Sequence, residues 1–182
     1  LDDRLYSMIE YAKSKSQRLF LDITTNGRLL TVELVDKLFS IGLDNININD
    51  YRGDRDKNPD GWSSYVEPIY RAYDNNPKIS FKRRRLDDIL PNYAGNIPQT
   101  FNAEDFGFCN YPFRKLTIAY NGNILLCCDD FLYDTCFGNV MNDKLLDCWN
   151  NSELNVIRLS LLDNKRIGLC EKCNDFQEYN VF

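Results

Sequence analysis

Four cysteines, two widely spaced and two forming a close pair, are the residues of this chain best suited to chemistry. Cys170 and Cys173 form a C-x-x-C pair, a spacing that lets one turn direct both sulfurs to one centre. Cys109 and Cys127 lie at the two ends of a predicted hairpin, which brings them to the same end of its ribbon. We therefore predict one metal centre held by these four thiolates, and both a [4Fe–4S] cluster and structural Zn²⁺ suit such a donor set.

The other three of the seven cysteines are expected to have other roles. Cys128 follows Cys127 on a predicted strand, so its side chain should face the opposite side as a core thiol. Cys148 lies on a short predicted helix and is expected to be buried. Cys136 lies in a predicted loop and is the one candidate to replace a member of the four. An odd cysteine count without an export signal argues against a disulfide framework.

Composition excludes several classes of function. The chain has no histidine, which removes histidine-based zinc catalysis and Ser–His–Asp triads. Its net charge of −5 disfavours binding to nucleic acid or to anionic membranes. No segment approaches the roughly 18 apolar residues of a membrane span, and we expect a cytoplasmic protein.

Helix-like and strand-like segments alternate through the first half of the chain. Apolar periodicity predicts strands over residues 19–24, 45–49 and 78–82, each preceded by a helix. Thr31 is expected to cap the second helix and Gly42 to end it. This order predicts an α/β fold whose parallel strands are joined by right-handed crossovers, either as an open sheet or as the later part of a larger barrel.

A linker rich in Pro, Asn, Gly and Asp is predicted over residues 87–106, so we divide the chain into domains of residues 1–90 and 91–182. The second domain opens with two apolar runs joined by Asn121-Gly122, which predicts a hairpin with positive φ at both turn residues. Two helices should follow, capped by Asp143 and Ser152, and return the chain to the C-x-x-C pair.

Residues 93–176 contain a recognisable pattern. Cys109 is followed by twelve residues, Gly122, four residues and Cys127, and a C-x-x-C comes later. The intervening segments agree as well: Cys109-Asn110-Tyr111-Pro112-Phe113, Leu126-Cys127-Cys128-Asp129-Asp130, Phe137-Gly138-Asn139-Val140, Cys148-Trp149-Asn150, and the stretch from Ile157-Arg158 through Arg166 to Leu169-Cys170. This pattern resembles the C-terminal extension of radical S-adenosylmethionine (SAM) enzymes, called SPASM, or Twitch in its one-cluster form.

The first half resembles the middle and later part of a radical SAM barrel, in Thr25-Asn26-Gly27 and in residues 41–48. In that family polar groups at these strand ends approach SAM, so the resemblance makes Asn26, Asn47 and Asn49 candidate cofactor-binding residues. The alternative for each is an ordinary turn or strand amide. The family's C-x-x-x-C-x-x-C motif is absent from this sequence. The resemblance therefore implies the C-terminal portion of a longer protein, unable to cleave SAM alone.

The resemblance also implies a function. The longer protein would use SAM to oxidise or modify a peptide, sugar or small metabolite, with a flavodoxin- or ferredoxin-type reductase as partner. Four ligands imply one auxiliary [4Fe–4S] cluster, whose potential Arg114 or Lys172 is expected to raise. The alternative is a non-enzymatic module in which the four cysteines hold zinc. The acidic segment 54–60 is expected to be a solvated loop, with a substrate lid as the less favoured reading.

Overall fold

A computed structural model describes residues 2, 4–51, 61–84, 92–97 and 108–174. The chain divides into two units, Leu1–Asp88 and Ile89–Phe182. The acidic segment 54–60 and most of the predicted linker 87–106 lie outside the described residues. Within the described ranges, no helix is both long enough and apolar enough to cross a membrane.

The first unit alternates helices and strands in the predicted order. Its elements are α1 (Leu5–Lys15), β1 (Asp22–Thr25), α2 (Val32–Ser40), β2 (Asn45–Asp50), α3 (Glu67–Tyr73) and β3 (Ile79–Arg83). The strands form one parallel sheet in the order β1-β2-β3, which places β2 in the centre. The predicted mixed α/β class with a parallel three-stranded sheet is therefore confirmed.

Helix α2 begins and ends where the sequence predicts. Thr31 caps it, because its Oγ1 accepts the Leu34 N–H at 3.2 Å. Gly42 follows the C-cap of α2 and has a φ of +107°. Glycine adopts this conformation at little energetic cost because it has no side chain. An added Cβ at Gly42 would lie 2.9 Å from the Lys13 side chain, so space also favours glycine here.

Strand β2 separates an apolar face from a polar face. Ile46 and Ile48 are buried and pack in one cluster with Val35 and Leu38 of α2. The alternate residues, Asn45, Asn47 and Asn49, point to the opposite face, as the two-residue period of a strand requires. The helix-covered face thus supplies the core, and the other face presents a row of amides.

The second unit contains short elements. They are α4 (Tyr111–Arg114), β4 (Thr117–Ile118), β5 (Ile124–Leu125), α5 (Leu145–Trp149), α6 (Ser152–Leu162) and a 3-10 helix (Gly168–Lys172). Strands β4 and β5 pair antiparallel. A buried hydrophobic cluster of this unit contains Ile124, Leu126, Phe137, Cys148, Leu154 and Cys170. One cysteine that is a predicted metal ligand therefore belongs to the packed interior.

The turn between β4 and β5 differs from the prediction. Of the two residues expected to have positive φ, only Gly122 does, at +87°. The Gly122 N–H donates to the Ala119 oxygen at 2.9 Å, and the Ala119 N–H donates to the Asn123 oxygen at 2.9 Å. The loop therefore has three residues and ends in a left-handed glycine, the other common way to close a hairpin.

Both predicted caps in the second unit are wrong. Asn151 caps α6, since its Oδ1 accepts two N–H groups of the first turn, and Ser152 is the first helical residue. Asn and Ser are almost equal as caps, so two such neighbours cannot be ranked from sequence. Asp143 does not cap α5 either, because its Oδ2 accepts the Asn139 N–H at 2.8 Å.

Candidate metal centre

The four predicted ligands line one cavity of the second unit. Cys170 and Cys173 are buried, and Cys109 and Cys127 are half-buried. In the part of the chain that the structure describes, the wall also includes Ala94, Tyr111, Pro112, Leu126, Asp129, Arg166 and Leu169. The structure thus brings together four thiols that the sequence distributes over most of this unit.

Each thiol is positioned by a nearby element. Cys109 lies just before α4, and Cys127 lies two residues beyond the end of β5. Cys170 belongs to the 3-10 helix and Cys173 is its C-cap, with the Cys173 N–H donating to the Cys170 oxygen at 3.2 Å. This tight turn keeps both members of the pair on one wall of the cavity.

The remaining cysteines lie outside the cavity wall. Cys128 is exposed, so its predicted role as a core thiol is wrong. The reason is that β5 ends at Leu125, and strand alternation no longer governs the residues after it. Cys136 is also exposed, with its Sγ 3.6 Å from the Gly138 oxygen. Cys148 is 2% exposed within the core, which confirms its predicted packing role.

Burial changes the acidity of the thiols. It raises the pKa of Cys127 to about 12, against an opposing hydrogen bond from the Asp129 backbone. It likewise raises the pKa of Cys170 to about 11, with further contributions from Cys109 and Cys173 and an opposing one from Arg166. These two thiols keep their protons at neutral pH until a cation displaces them, because metals bind the thiolate form.

Arg166 supplies a positive charge to the cavity wall. Its side chain lines the cavity, and its Nη1 donates to the Cys173 oxygen at 3.0 Å. Arg114 and Lys172, the predicted cations, do not line the cavity. The Lys172 side chain lies against Gly95, where an added Cβ would be 2.6 Å from the Lys172 Cβ. Arg166 was identifiable in the sequence only as part of the stretch before Cys170.

The thiols do not meet around a point. Within the described ranges, no three His, Cys, Asp or Glu side chains are arranged so that they could hold a single metal ion. Tetrahedral zinc with Zn–S bonds of about 2.3 Å requires thiolates about 3.8 Å apart. Four cysteine thiolates are also the donor set of a [4Fe–4S] cluster, which contains several irons.

The three candidate SAM-binding amides lie in the first unit. Asn26 is exposed in the turn after β1, where its Oδ1 accepts the Arg28 N–H at 3.0 Å. On the polar face of the sheet, the Asn47 Nδ2 donates to the Asp22 Oδ1 at 2.6 Å. Asn49 lies further along the same face, half-buried, opposite Lys82 in the register. Asn26 and Asn47 therefore have structural contacts of their own.

Residues 109–174 match the model of the SPASM family, an iron–sulfur cluster-binding domain. Over 158 residues the chain is 26% identical to an S-adenosyl-L-methionine-dependent 2-deoxy-scyllo-inosamine dehydrogenase of Niallia circulans, covering 84% of this chain and 60% of that protein. The chain therefore spans only about three fifths of this relative's length.

Solved structures share the fold. The crystal structure of BtrN in complex with AdoMet and 2-DOIA superimposes with a TM-score of 0.77 at 21% identity, over 95% of this chain and 67% of that one. An open conformation of BtrN gives a TM-score of 0.67 at 19% identity, over 95% of this chain and 65% of that one.

Residues 109–174 match the SPASM iron–sulfur domain, with the first and last predicted ligands close to the two boundaries of the match. The predicted resemblance to radical SAM proteins that carry such a domain is confirmed, and the relative it points to is a SAM-dependent dehydrogenase.

Proposed function

We propose that Cys109, Cys127, Cys170 and Cys173 hold one auxiliary [4Fe–4S] cluster in a radical SAM oxidoreductase. The observation that carries the proposal is that all four thiols line one cavity of the SPASM domain. The other three cysteines, all of them within the described ranges, do not line it.

The wall of the cavity suits such a cluster. Four thiolates are the usual donor set of a [4Fe–4S] cluster, and no histidine or solvent ligand is needed. Pro112, Leu126 and Leu169 contribute apolar wall, which limits the access of water. Arg166 partly offsets the negative charge that four thiolates bring into a buried space.

The chain's own residues then have definite roles. When bound, a cluster with four cysteine ligands would supply a one-electron donor or acceptor without an open coordination position. The C-x-x-C turn fixes two ligands, and the segments flanking α4 and β5 fix the other two. On loading, the buried thiols must release their protons to solvent. The polypeptide thus binds the cluster, shields it from water and places a positive charge beside it.

The substrate belongs to this proposal as well. The similar protein of Niallia circulans is named as a dehydrogenase of 2-deoxy-scyllo-inosamine. We propose that the substrate is a small hydroxylated metabolite that is oxidised, and we favour this substrate class over a peptide or a sugar. SAM would approach the polar strand ends at Asn26, Asn47 and Asn49, and a flavodoxin- or ferredoxin-type reductase would supply electrons.

The experiment is a metal analysis of protein purified without oxygen and reconstituted with iron and sulfide. We expect about four irons and four sulfides per chain, and a loss of both in single Ala variants of the four ligands. Neighbouring thiols supply matched controls: Cys127→Ala should abolish the cluster, and Cys128→Ala should leave it intact. Cys136→Ala should also retain the cluster, because this side chain is exposed outside the cavity wall.

Zinc is the competing occupant, and the same analysis distinguishes it. One zinc per chain without sulfide, resistant to replacement by iron, would support the structural zinc module instead. Retention of iron by Cys127→Ala, or its loss from Cys128→Ala, would refute the ligand assignment.

A further inference from the structure

We propose that Arg166 sets the reduction potential of the cluster by placing a fixed positive charge in the wall of its cavity. The inference rests on the proposed function, because it presupposes a cluster held by the four cysteines. It assigns a role to Arg166, which is not a ligand of the cluster.

The position of Arg166 is fixed by a contact with the ligand segment itself. Its Nη1 donates to the backbone oxygen of Cys173 at 3.0 Å, so the guanidinium is held beside the C-x-x-C turn. The side chain also forms part of the wall that the four thiols line.

Two of the described residues that line the cavity are charged, and their charges have opposite signs. Asp129 is 4% exposed and lines the same wall as Arg166. A carboxylate in this wall disfavours further negative charge in the cavity. Among the described residues that line the wall, Arg166 is the only one with a cationic side chain, and it lies beside the C-x-x-C pair.

Reduction of a cluster adds one electron to a group that is already negative. A guanidinium beside the thiolates stabilises the reduced state more than the oxidised state, so it raises the potential. Arginine suits this role because it stays protonated at every relevant pH, even in a buried site. Removal of the charge should therefore lower the potential, and exchange for another cation should largely preserve it.

The test compares Arg166→Gln with Arg166→Lys in the reconstituted chain. Iron and sulfide are first quantified, and the midpoint potential is then measured by a redox titration followed by electron paramagnetic resonance. We expect Arg166→Gln to lower the midpoint by about 59 mV, a tenfold change in the equilibrium constant of a one-electron couple. Arg166→Lys should stay near the wild-type value. Lys172→Gln serves as the control, since Lys172 lies outside the wall.

Each outcome decides the question. If Arg166→Gln keeps a full cluster at an unchanged potential, the inference is wrong while the cluster assignment stands. If Gln and Lys lower the potential equally, the hydrogen bond to Cys173 rather than the charge is responsible, which also refutes it. If Arg166→Gln loses the cluster, the Arg166→Lys variant decides the question. A midpoint potential near the wild-type value in that variant supports the role of the positive charge. A wild-type chain that forms no cluster overturns the proposed function and this inference with it.

Discussion

Asn92 and Asn174 hold each other through two reciprocal hydrogen bonds. The Asn92 N–H donates to the Asn174 Oδ1 at 2.5 Å, and the Asn174 N–H donates to the Asn92 Oδ1 at 3.0 Å. Asn174 is 6% exposed and directly follows Cys173, while Ala94 of the adjoining segment lines the cavity. The pair therefore ties residues 92–97 to the C-x-x-C turn as part of one wall.

Asn174→Ala should accelerate the loss of the cluster. The variant removes the acceptor of the Asn92 N–H, and an unsatisfied donor at a site this shielded costs about 1 to 3 kcal/mol. If iron leaves through local opening of this wall, the rate should rise about tenfold. The measurement is iron release to a chelator in excess, followed under anaerobic conditions.

Asn142→Ala is the control for the Asn174 experiment, because Asn142 is an exposed asparagine of the same unit. Its rate should match the wild type. Equal rates for Asn174→Ala and Asn142→Ala would mean that the Asn92–Asn174 pair does not keep the cavity closed.

Gly138 is required by both its backbone conformation and its neighbour. Its φ is +134°, and an added Cβ would lie 2.5 Å from the Cys148 Sγ. We expect Gly138→Ala to destabilise the second unit by about 3 kcal/mol, from backbone strain and the clash together. Urea unfolding in a Trp62→Phe background measures this, because Trp149 then reports on the second unit alone.

A double-mutant cycle separates the two causes at Gly138. In a Cys148→Ala background the clash with the sulfur is gone, while the strain at positive φ and the 3.2 Å contact of the added Cβ with the Asp143 Oδ2 remain. Gly138→Ala should then cost about 1 to 2 kcal/mol less than it does with Cys148 present. Additive effects would show that the sulfur contact contributes nothing.

The sequence predicted the parts of the fold and site that depend on local periodicity and spacing. The alternation along β2 and the cap at Thr31 depend on such short-range patterns. The convergence of the four cysteines joins distant segments, and its prediction relied on the hairpin, the C-x-x-C spacing and the family resemblance. The exposure of Cys128 was missed because β5 ends before it. The Asn92–Asn174 pair joins residues 82 positions apart, and no local pattern encodes a contact at that separation.

Asp44 should make the first unit sensitive to acid. Its Oδ2 accepts the Leu21 N–H at 2.7 Å and the Lys13 Nζ at 2.5 Å, and these contacts lower its pKa. A carboxyl with a lowered pKa stabilises the fold fully above its unfolded value of about 3.9, and this contribution disappears as pH falls through the folded value.

Asp44→Asn tests this contribution. Above pH 5 the variant should have a smaller free energy of unfolding than the wild type, because Asn can still accept the Leu21 N–H but lacks the charge that pairs with Lys13. The difference should shrink as pH falls below about 4. Urea unfolding in a Trp149→Phe background, with Trp62 as the reporter, provides the measurement. A difference that stays constant across pH would contradict the assignment.

Arg158 joins three parts of the second unit through a buried guanidinium. The side chain is 8% exposed, and its Nε donates to the Pro112 oxygen at 2.8 Å. Its Nη1 donates to the Trp149 oxygen at 2.5 Å and to the Asn155 Oδ1 at 2.8 Å. The guanidinium also lies 4.1 Å from the centre of the Trp149 ring. Burial lowers the pKa of Arg158, and all three acceptors are uncharged.

Arg158→Met should destabilise the second unit by about 2 to 4 kcal/mol, because the oxygens of Pro112 and Trp149 lose a charged donor in a buried place. Arg158→Lys should recover less than half of this loss, since an ammonium cannot reproduce the planar fork that reaches both oxygens at once. Urea unfolding in the Trp62→Phe background compares the two variants with the wild type. If Lys restores full stability, the positive charge rather than the fork is what α4, α5 and α6 require. If Met is as stable as arginine, the packing around this side chain does not depend on its hydrogen bonds at all.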